Sequence, residues 1–439
     1  MKNSRLALMS SVAIGALTLS ACGGSEPQSP PSVDLSSAPD YTGSISILTK
    51  FAGEPLEPYF ENVAKAYQQK HPEVTIDLIQ ETDQSIKDKV RTLTASNALP
   101  DVYFTWTGSW QENFVRGGLA ADLTEVIAPD TEWGSTFGEA SLDAFAVDGK
   151  YYGIPLYNNG KFMGYNKVAF EEAGVEVPET FEDLIGSCEA LRDAGYEPIA
   201  FGNKDGWPAL HYLQQLFAYN VPAEVLRADF KPETATWTDP GYEAALVQYK
   251  QLVEDCTDTQ AGANGVLYTT AQESFAGSRS AMYYQEILEF DSVTGKGKLD
   301  PEKFGSFQLS APQDSSGDAN AIEGAPEGYM INAKSPQGAL AADFMKFATN
   351  QANAKALSAV PYGQPSAVKG AVSAETSSKA VKSGIDMVNE ASSLVMWLDT
   401  VSVPEVADAW LAGGEALTSG SSSPSEVVQS VRSASETAK

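Results

Sequence analysis

From residue 44 onward the chain alternates between two hydrophobic periods. Ser44–Thr49 is a short β-branched run that reads as a strand. Phe60, Val63, Ala64 and Tyr67 then recur at the i, i+3, i+4, i+7 spacing of one helix face. Val74, Ile76 and Leu78 alternate as a strand does, Ile86, Val90 and Leu93 return to helical spacing, and Asp101–Thr105 is extended again. Two successive strand–helix–strand units imply a parallel sheet with helices on its faces. Ligands of such sheets sit beyond the carboxyl ends of the strands. Those ends are Lys50 and Phe51, then Glu81, then Trp106 and Thr107.

The next stretch is mostly helical. Phe181, Leu184, Ile185, Cys188 and Leu191 share a face behind Thr180, which has the chemistry of an N-cap. Asp239-Pro240 reads as N-cap and first helical residue, followed by a stripe of Tyr242, Leu246, Tyr249, Val253 and Cys256. Between these helices Gly206-Trp207-Pro208 reads as a loop feeding another helix, with Leu210, Leu213 and Phe217 inward. Ala281–Tyr284 reads as a buried strand, Phe304–Ala311 as a further extended segment, and Ala339 to Ala348 as a helix.

Composition narrows the function. The 439 residues carry 58 acidic and 29 basic side chains, a formal charge of −29, which repels phosphate backbones and anionic lipid. Nucleic acid is therefore not an expected partner. Two histidines and three widely spaced cysteines give no metal cluster, and no cofactor is expected. Neither GxSxG, HExxH nor a Gly-rich phosphate loop is present, which argues against an enzyme. The pairs Tyr151-Tyr152 and Tyr283-Tyr284 lack a histidine partner in context and read as strand packing rather than an iron site.

The N-terminus reads as an address. Lys2 and Arg5 precede a mainly apolar run from Leu6 to Leu19 that ends in Leu19-Ser20-Ala21-Cys22. This resembles the lipobox of bacterial lipoproteins, which implies a signal peptide over 1–21 and lipid on Cys22. Residues 22–40 then form a flexible tether rich in Gly, Ser and Pro. The expected location is the extracellular face of a bacterial cell membrane, with the lipid as the only membrane attachment.

A second resemblance covers most of the remaining chain. It is carried by Tyr165-Asn166-Lys167, Phe170 to Gly174, Pro178 to Leu184, Phe275 to Met282, Gly328 to Ser335 with Ala341-Ala342-Asp343-Phe344, and Pro100 to Phe104. These segments, in this order, resemble the extracellular solute-binding proteins of ABC importers, in their carbohydrate-binding branch. The resemblance implies an α/β, two-lobed periplasmic-binding-protein-like fold. Each lobe would be a largely parallel sheet flanked by helices, and crossover strands near Gly153–Asn158, Phe304–Ala311 and Tyr362 would form the hinge. Lobe one would be 41–156 plus 311–362, and lobe two 157–310 plus 363–439. Cys188 and Cys256 lie on buried stripes of helices that would share a lobe, and the secreted compartment permits a disulfide between them.

A sugar site needs aromatic platforms for CH faces and carboxylates or amides for hydroxyl rims. Trp106 at a strand end, Trp110 one helical turn on, and Trp207 between Gly206 and Pro208 are the first platform candidates. Tyr284 and Glu286 follow from the strand that ends near them. Trp397 and Asp399 are two apart, which in an extended segment puts both on one side, and they resemble an aromatic-x-Asp element of the family. Lys50 is a hydroxyl donor, Glu327 and Glu323 lie in a loop that the resemblance places near the ligand, and Tyr362 lies at the third crossover. The expected function is capture of an oligosaccharide by a monomer that delivers it to transmembrane permease subunits. A lipid-anchored glycoside hydrolase, which needs only two carboxylates, and a binder of another solute such as a polyamine are the alternatives.

Overall fold

Val33 and residues 35–53, 55–258 and 260–439 are described by a computed structural model; the expected signal peptide and Cys22 lie outside the described residues. The strands are β1 Gly43–Thr49, β2 Val74–Gln80, β3 Val102–Thr105, β4 Ile154–Tyr157, β5 Lys161–Asn166, β6 Glu197–Ile199, β7 Ser280–Glu286, β8 Phe304–Phe307, β9 Ala321–Glu323, β10 Glu327–Ile331 and β11 Ser393–Val395. The helices that matter below are α1 Glu57–Lys70, α2 Asp83–Ala95, α3 Ser109–Arg116, α4 Phe181–Asp193, α5 Trp207–Asn220, α6 Pro240–Cys256, α7 Gly338–Ala348, α8 Lys379–Glu390 and α9 Pro404–Thr418.

Two sheets organise the molecule. The first has the order β2-β1-β3-β10-β4 and the second β8-β5-β7-β6. The strand–helix–strand reading of residues 44–105 holds, since β1 runs parallel to both β2 and β3. The expectation of largely parallel sheets needs correction elsewhere. β10 is antiparallel to β3 and β4, and in the second sheet only β6–β7 is a parallel pair. The reason lies in the connections: β4 leads into β5, and β9 into β10, through three-residue links that change sheet. Parallel neighbours need a long crossover within one sheet.

Each sheet has its own core. Ile45, Ile47, Phe104 and Tyr329 build the first with α1 and α7. The second sheet is covered on both faces, and the period of 2 sorts its side chains. Met163 and Tyr284 face the helices α4, α5 and α6, whereas Phe162 and Tyr283 face a smaller cluster with Phe290 and Val381. Both tyrosines of the Tyr283-Tyr284 pair are therefore buried. Trp133, Trp237 and Trp410 pack inside, as their lack of a strand-end or loop context suggests. Burying such a side chain contributes roughly 1.5–3 kcal/mol.

The expected boundaries shift. Gly317 N donates to Tyr219 O and Ser316 Oγ is bonded to Asn220 O, so the segment after Phe304–Ala311 stays against α5; the return to the first sheet comes between β9 and β10. Ala367, Val368 and Ala371 still belong to the first core, beyond the crossover expected at Tyr362. The tether is also shorter than expected. Leu35 is buried in the first core with Val33 packed beside it, and a Cβ on Gly338 would lie 2.0 Å from Val33 Cγ1.

Local chemistry sets the helix starts. Thr180 Oγ1 accepts from Asp183 N at 3.1 Å while Asp183 Oδ2 accepts from Thr180 N at 3.1 Å, a reciprocal cap for α4. Asp239 Oδ1 accepts from Gly241 N at 2.8 Å at the start of α6. The two helices are joined by the Cys188–Cys256 disulfide, with Cα atoms 5.2 Å apart and a sequence separation of 68. Closing a loop of that length contributes about 4 kcal/mol in the chain-entropy description. The double variant Cys188→Ser with Cys256→Ser is expected to lose about that much stability in urea titration, and an unchanged midpoint would show that the bond adds nothing.

Candidate functional site

The carboxyl ends of β1 and β3 and the start of β10 open onto a cleft of about 670 Å³, with residues from the second sheet's side on its opposite wall. Lys50 follows β1 directly and is buried on the cleft floor. Its Nζ lies 2.7 Å from Asp83 Oδ1 at the start of α2 and 2.8 Å from Glu327 Oε2 at the start of β10. Burial alone would lower its pKa, but Asp83 and Glu327 outweigh that and hold it well above the ordinary lysine value. Glu327 also accepts from the Tyr157 hydroxyl at 2.8 Å. Asn159 Nδ2 reaches across to Glu286 Oε2 at 2.5 Å and Glu327 Oε1 at 3.5 Å, which ties the ends of the two sheets together.

A second charged group lies beside this floor. Lys161 Nζ stands 2.5 Å from His211 Nδ1 and 3.9 Å from Glu286 Oε1. Burial, then the nearby Lys161 charge, push the His211 pKa well below its usual value, so the imidazole is neutral and Nδ1 accepts from Lys161. The ring stacks on Trp397 with centroids 4.7 Å apart. Burial likewise raises the Glu286 carboxyl to about 8, helped by Glu327 and Glu289 and opposed by Lys161 and Lys50.

Aromatic rings form the walls. Trp106 and Trp110 meet edge to face at 5.5 Å on the side of the first sheet. Lys87 Nζ lies 4.9 Å from the Trp106 ring and pairs with Asp399. On the other side Trp207 sits against His211 and Tyr268, and its Nε1 donates to Gln84 Oε1 of α2 at 3.3 Å. Gly206 before it has φ +77° and forms the N-cap of α5, so Trp207 is the first residue of a helix rather than part of a loop. Trp397 and Asp399 both line the cleft, although not through an extended segment: Trp397 caps a short helix, Leu398–Val401, and Asp399 lies within it. Gly108 makes room for that helix, since a Cβ there would lie 3.0 Å from Thr400 O.

Eight of the residues singled out from sequence line this cleft: Lys50, Trp106, Trp110, Trp207, Glu286, Glu327, Trp397 and Asp399. Two do not. Tyr284 packs at 4.6 Å on Tyr212 of α5; it shares a strand face with Glu286 but lies two residues further inside the sheet, where α5 covers it. Tyr362 packs edge-on against Tyr59 of α1 at 5.3 Å, away from the cleft. Glu323 is on β9, fully buried, and absent from the lining. Glu81 turns aside to Lys89, and Asp83 takes the position expected for it.

Helix faces supplied most of what sequence reading missed. Asp83, Gln84, Lys87 and Arg91 present one face of α2 to the cleft, and Pro404, Ala407, Asp408 and Leu411 one face of α9 at i, i+3, i+4, i+7. The signal was present in α2 as a polar stripe flanking Ile86 and Val90, just beyond a strand end.

The raised pKa of Glu286 has a measurable consequence. The folded carboxyl keeps its proton to about pH 8, whereas the unfolded one releases it near 4.5. The folded state therefore binds more protons over that window, and this group's stabilisation is lost as pH rises through it, at up to about 1.4 kcal/mol per pH unit. Glu286→Gln is expected to flatten the fall in unliganded stability between pH 5 and 8 relative to the parent. Identical pH profiles in urea titration would mean that Glu286 is ionised throughout.

Comparison with known proteins matches this architecture. The family model described as bacterial extracellular solute-binding protein matches residues 53–355. A binding protein of Brucella abortus (strain 2308) is 27% identical over 228 residues, 51% of this chain and 53% of that protein, so the match spans about half of that relative's length. A multiple sugar-binding protein of Streptococcus mutans is 24% identical over 339 residues, 70% of this chain and 79% of its own. Among solved structures, a chitin oligosaccharide binding protein superposes with a TM-score of 0.82 at 21% identity, covering 91% of this chain and 99% of that one. The maltose-bound MalE3 of T. maritima superposes at 0.76 with 17% identity over 90% of this chain and 100% of its own. With the fold, the cleft between two sheets and a family match over more than half of its length, this chain belongs to the bacterial extracellular solute-binding proteins.

Proposed function

We propose that this protein captures an oligosaccharide outside the cell and delivers it to the permease subunits of an ABC importer, without chemical change to the sugar. The observation that carries this reading is the pairing, in one cleft, of indole faces from both walls with a floor of hydrogen-bonding charges. Trp106 and Trp110 come from one side, Trp207 and Trp397 from the other, and Lys50, Glu286, Glu327 and Asp399 supply donors and acceptors between them. Stacked rings take the CH faces of a pyranose and the charges take its hydroxyls. The names of similar proteins, the multiple sugar-binding protein and an alpha-glucosides-binding protein of Rhizobium meliloti that is 25% identical over 223 residues, support a saccharide.

On this reading lobe one is built on the first sheet and lobe two on the second, and both close on the sugar as a monomer. Lipid on Cys22 holds the protein at the outer face of the cell membrane. Among the described residues no helix is long and apolar enough to cross a membrane, which agrees with attachment from the N-terminus.

Two measurements test the reading. A thermal-shift panel of oligosaccharides, with polyamines alongside, should return a saccharide. For that saccharide, Trp106→Ala and Trp397→Ala should each weaken binding by about 30- to 1000-fold in calorimetry, the range of a buried aromatic anchor at about 2–4 kcal/mol. Normal affinity with an early melting transition would show that both rings serve the core alone. For the anchor, Cys22→Ala should move the protein from the membrane fraction to the soluble one, and unchanged fractionation would exclude lipidation there.

A further inference from the structure

The charges around the cleft are not balanced. Lys50, Lys87 and Arg91 are the cations of its lining, against the carboxylates of Asp83, Asp88, Asp205, Glu327, Asp399 and Asp408, with Glu286 protonated beside them. Each of those cations is already engaged. Lys50 is held by Asp83 and Glu327, Lys87 by Asp399, and Arg91 lies 3.7 Å from Asp88 and over the Trp110 ring at 5.6 Å. Lys161, behind the lining, is taken by His211 and Glu286. Among the described lining residues the buried cation Lys50 and the part-buried Lys87 are paired, and only Arg91, in an exposed contact with Asp88, keeps donors for an anionic ligand.

The remaining groups point the other way. Asp205, one residue before the α5 N-cap and beside Trp207, has its Oδ2 buried with no hydrogen-bond partner. Asp408 of α9 lines the cleft and forms no ion pair among the described residues. The Nε1 of Trp397, a side chain only 3% exposed, is also a buried donor without a partner on the cleft wall. It can serve a hydroxyl or carbonyl oxygen, which a neutral sugar supplies. Away from the exposed Arg91, a uronate carboxylate entering here would have to break the Lys50 or Lys87 ion pairs and leave a buried partner uncompensated, or sit unpaired beside Asp205.

Resting on the reading of the cleft as a saccharide site, we propose that it selects sugars by charge, accepting neutral and amino-substituted saccharides and refusing uronates, with Asp205 and Asp408 as the selecting carboxylates. An amino group needs no new partner from the protein, since Asp205 supplies one. The formal charge of −29 acts in the same direction at longer range, slowing the approach of an anion.

The test is calorimetry on the full mature protein with matched probes: xylotriose and its glucuronate-substituted form, the N-acetylglucosamine trimer and its de-N-acetylated form, and the galactose trimer and the galacturonate trimer. Each uronate should bind at least about tenfold more weakly than its neutral counterpart, and the de-N-acetylated trimer no more weakly than the acetylated one. The gap should narrow as salt is raised, because the rim charges are screened. In the double variant Asp205→Asn with Asp408→Asn, the ratio of neutral to uronate affinity should fall at least about fivefold. A uronate that binds as tightly as its neutral partner, or a ratio unmoved by the double variant, overturns charge selection while leaving the saccharide reading intact. Failure of every probe, neutral and charged alike, across a wider oligosaccharide panel overturns both.

Discussion

The architecture turns on one buried charge. Lys50 sits where β1, α2 and β10 converge, and a cation so enclosed is tolerable only because Asp83 and Glu327 stand at 2.7 and 2.8 Å. Those contacts fix the first turn of α2 and the entry to β10 relative to β1, three elements far apart in sequence. The same network then extends through Tyr157 and Asn159 to Glu286, the last residue of β7. The floor of the cleft is thus assembled by the protein's own ion pairs before any ligand arrives, which reduces the ordering cost of binding.

On that floor the aromatic walls gain their orientation indirectly. Lys87 pairs with Asp399 and lies over Trp106, so one cation touches features of both walls. Lys161 lies beneath Trp207 of the other wall, with centroid distance 4.9 Å, while bonded to a His211 that is itself stacked on Trp397. Cations near the ring faces hold the indoles by electrostatics as well as by packing. The cleft is therefore polar in its supports and apolar in the faces it offers.

Much of this was legible in the sequence wherever local rules decide. The alternation over residues 44–105 gave three parallel strands, Thr180 and Asp239 marked their helix starts, and strand ends pointed to Lys50, Trp106 and Glu286. What was not legible depends on chain reversal and on helix faces. Nothing local to Glu327 tells that β10 enters antiparallel to β3, and Tyr284 looks as cleft-facing as Glu286 until α5 is laid over it. Asp83, Lys87 and Asp408 lie on the polar sides of amphipathic helices, a pattern that ordinary solvent exposure produces equally well. His211 and Lys161 acquire their roles only from each other.

The connections between the sheets carry a further consequence. Asn158 to Gly160 links the first sheet to the second in three residues, and Gly324 to Pro326 links the small β9–β11 pair back to the first sheet in three more. They run so close that a Cβ on Gly324 would lie 2.4 Å from Asn159 O. Two short strips fastened side by side bend about the line they share and resist shear across it. A rotation of the sheets about that line would change wall separation more the further a residue lies from it. Under such a rotation Asn159 and Glu327, beside that line, would move less than lining residues further from it such as Trp110 and Leu411. The innermost sugar unit would meet a fixed surface, and the outer ones a closing jaw.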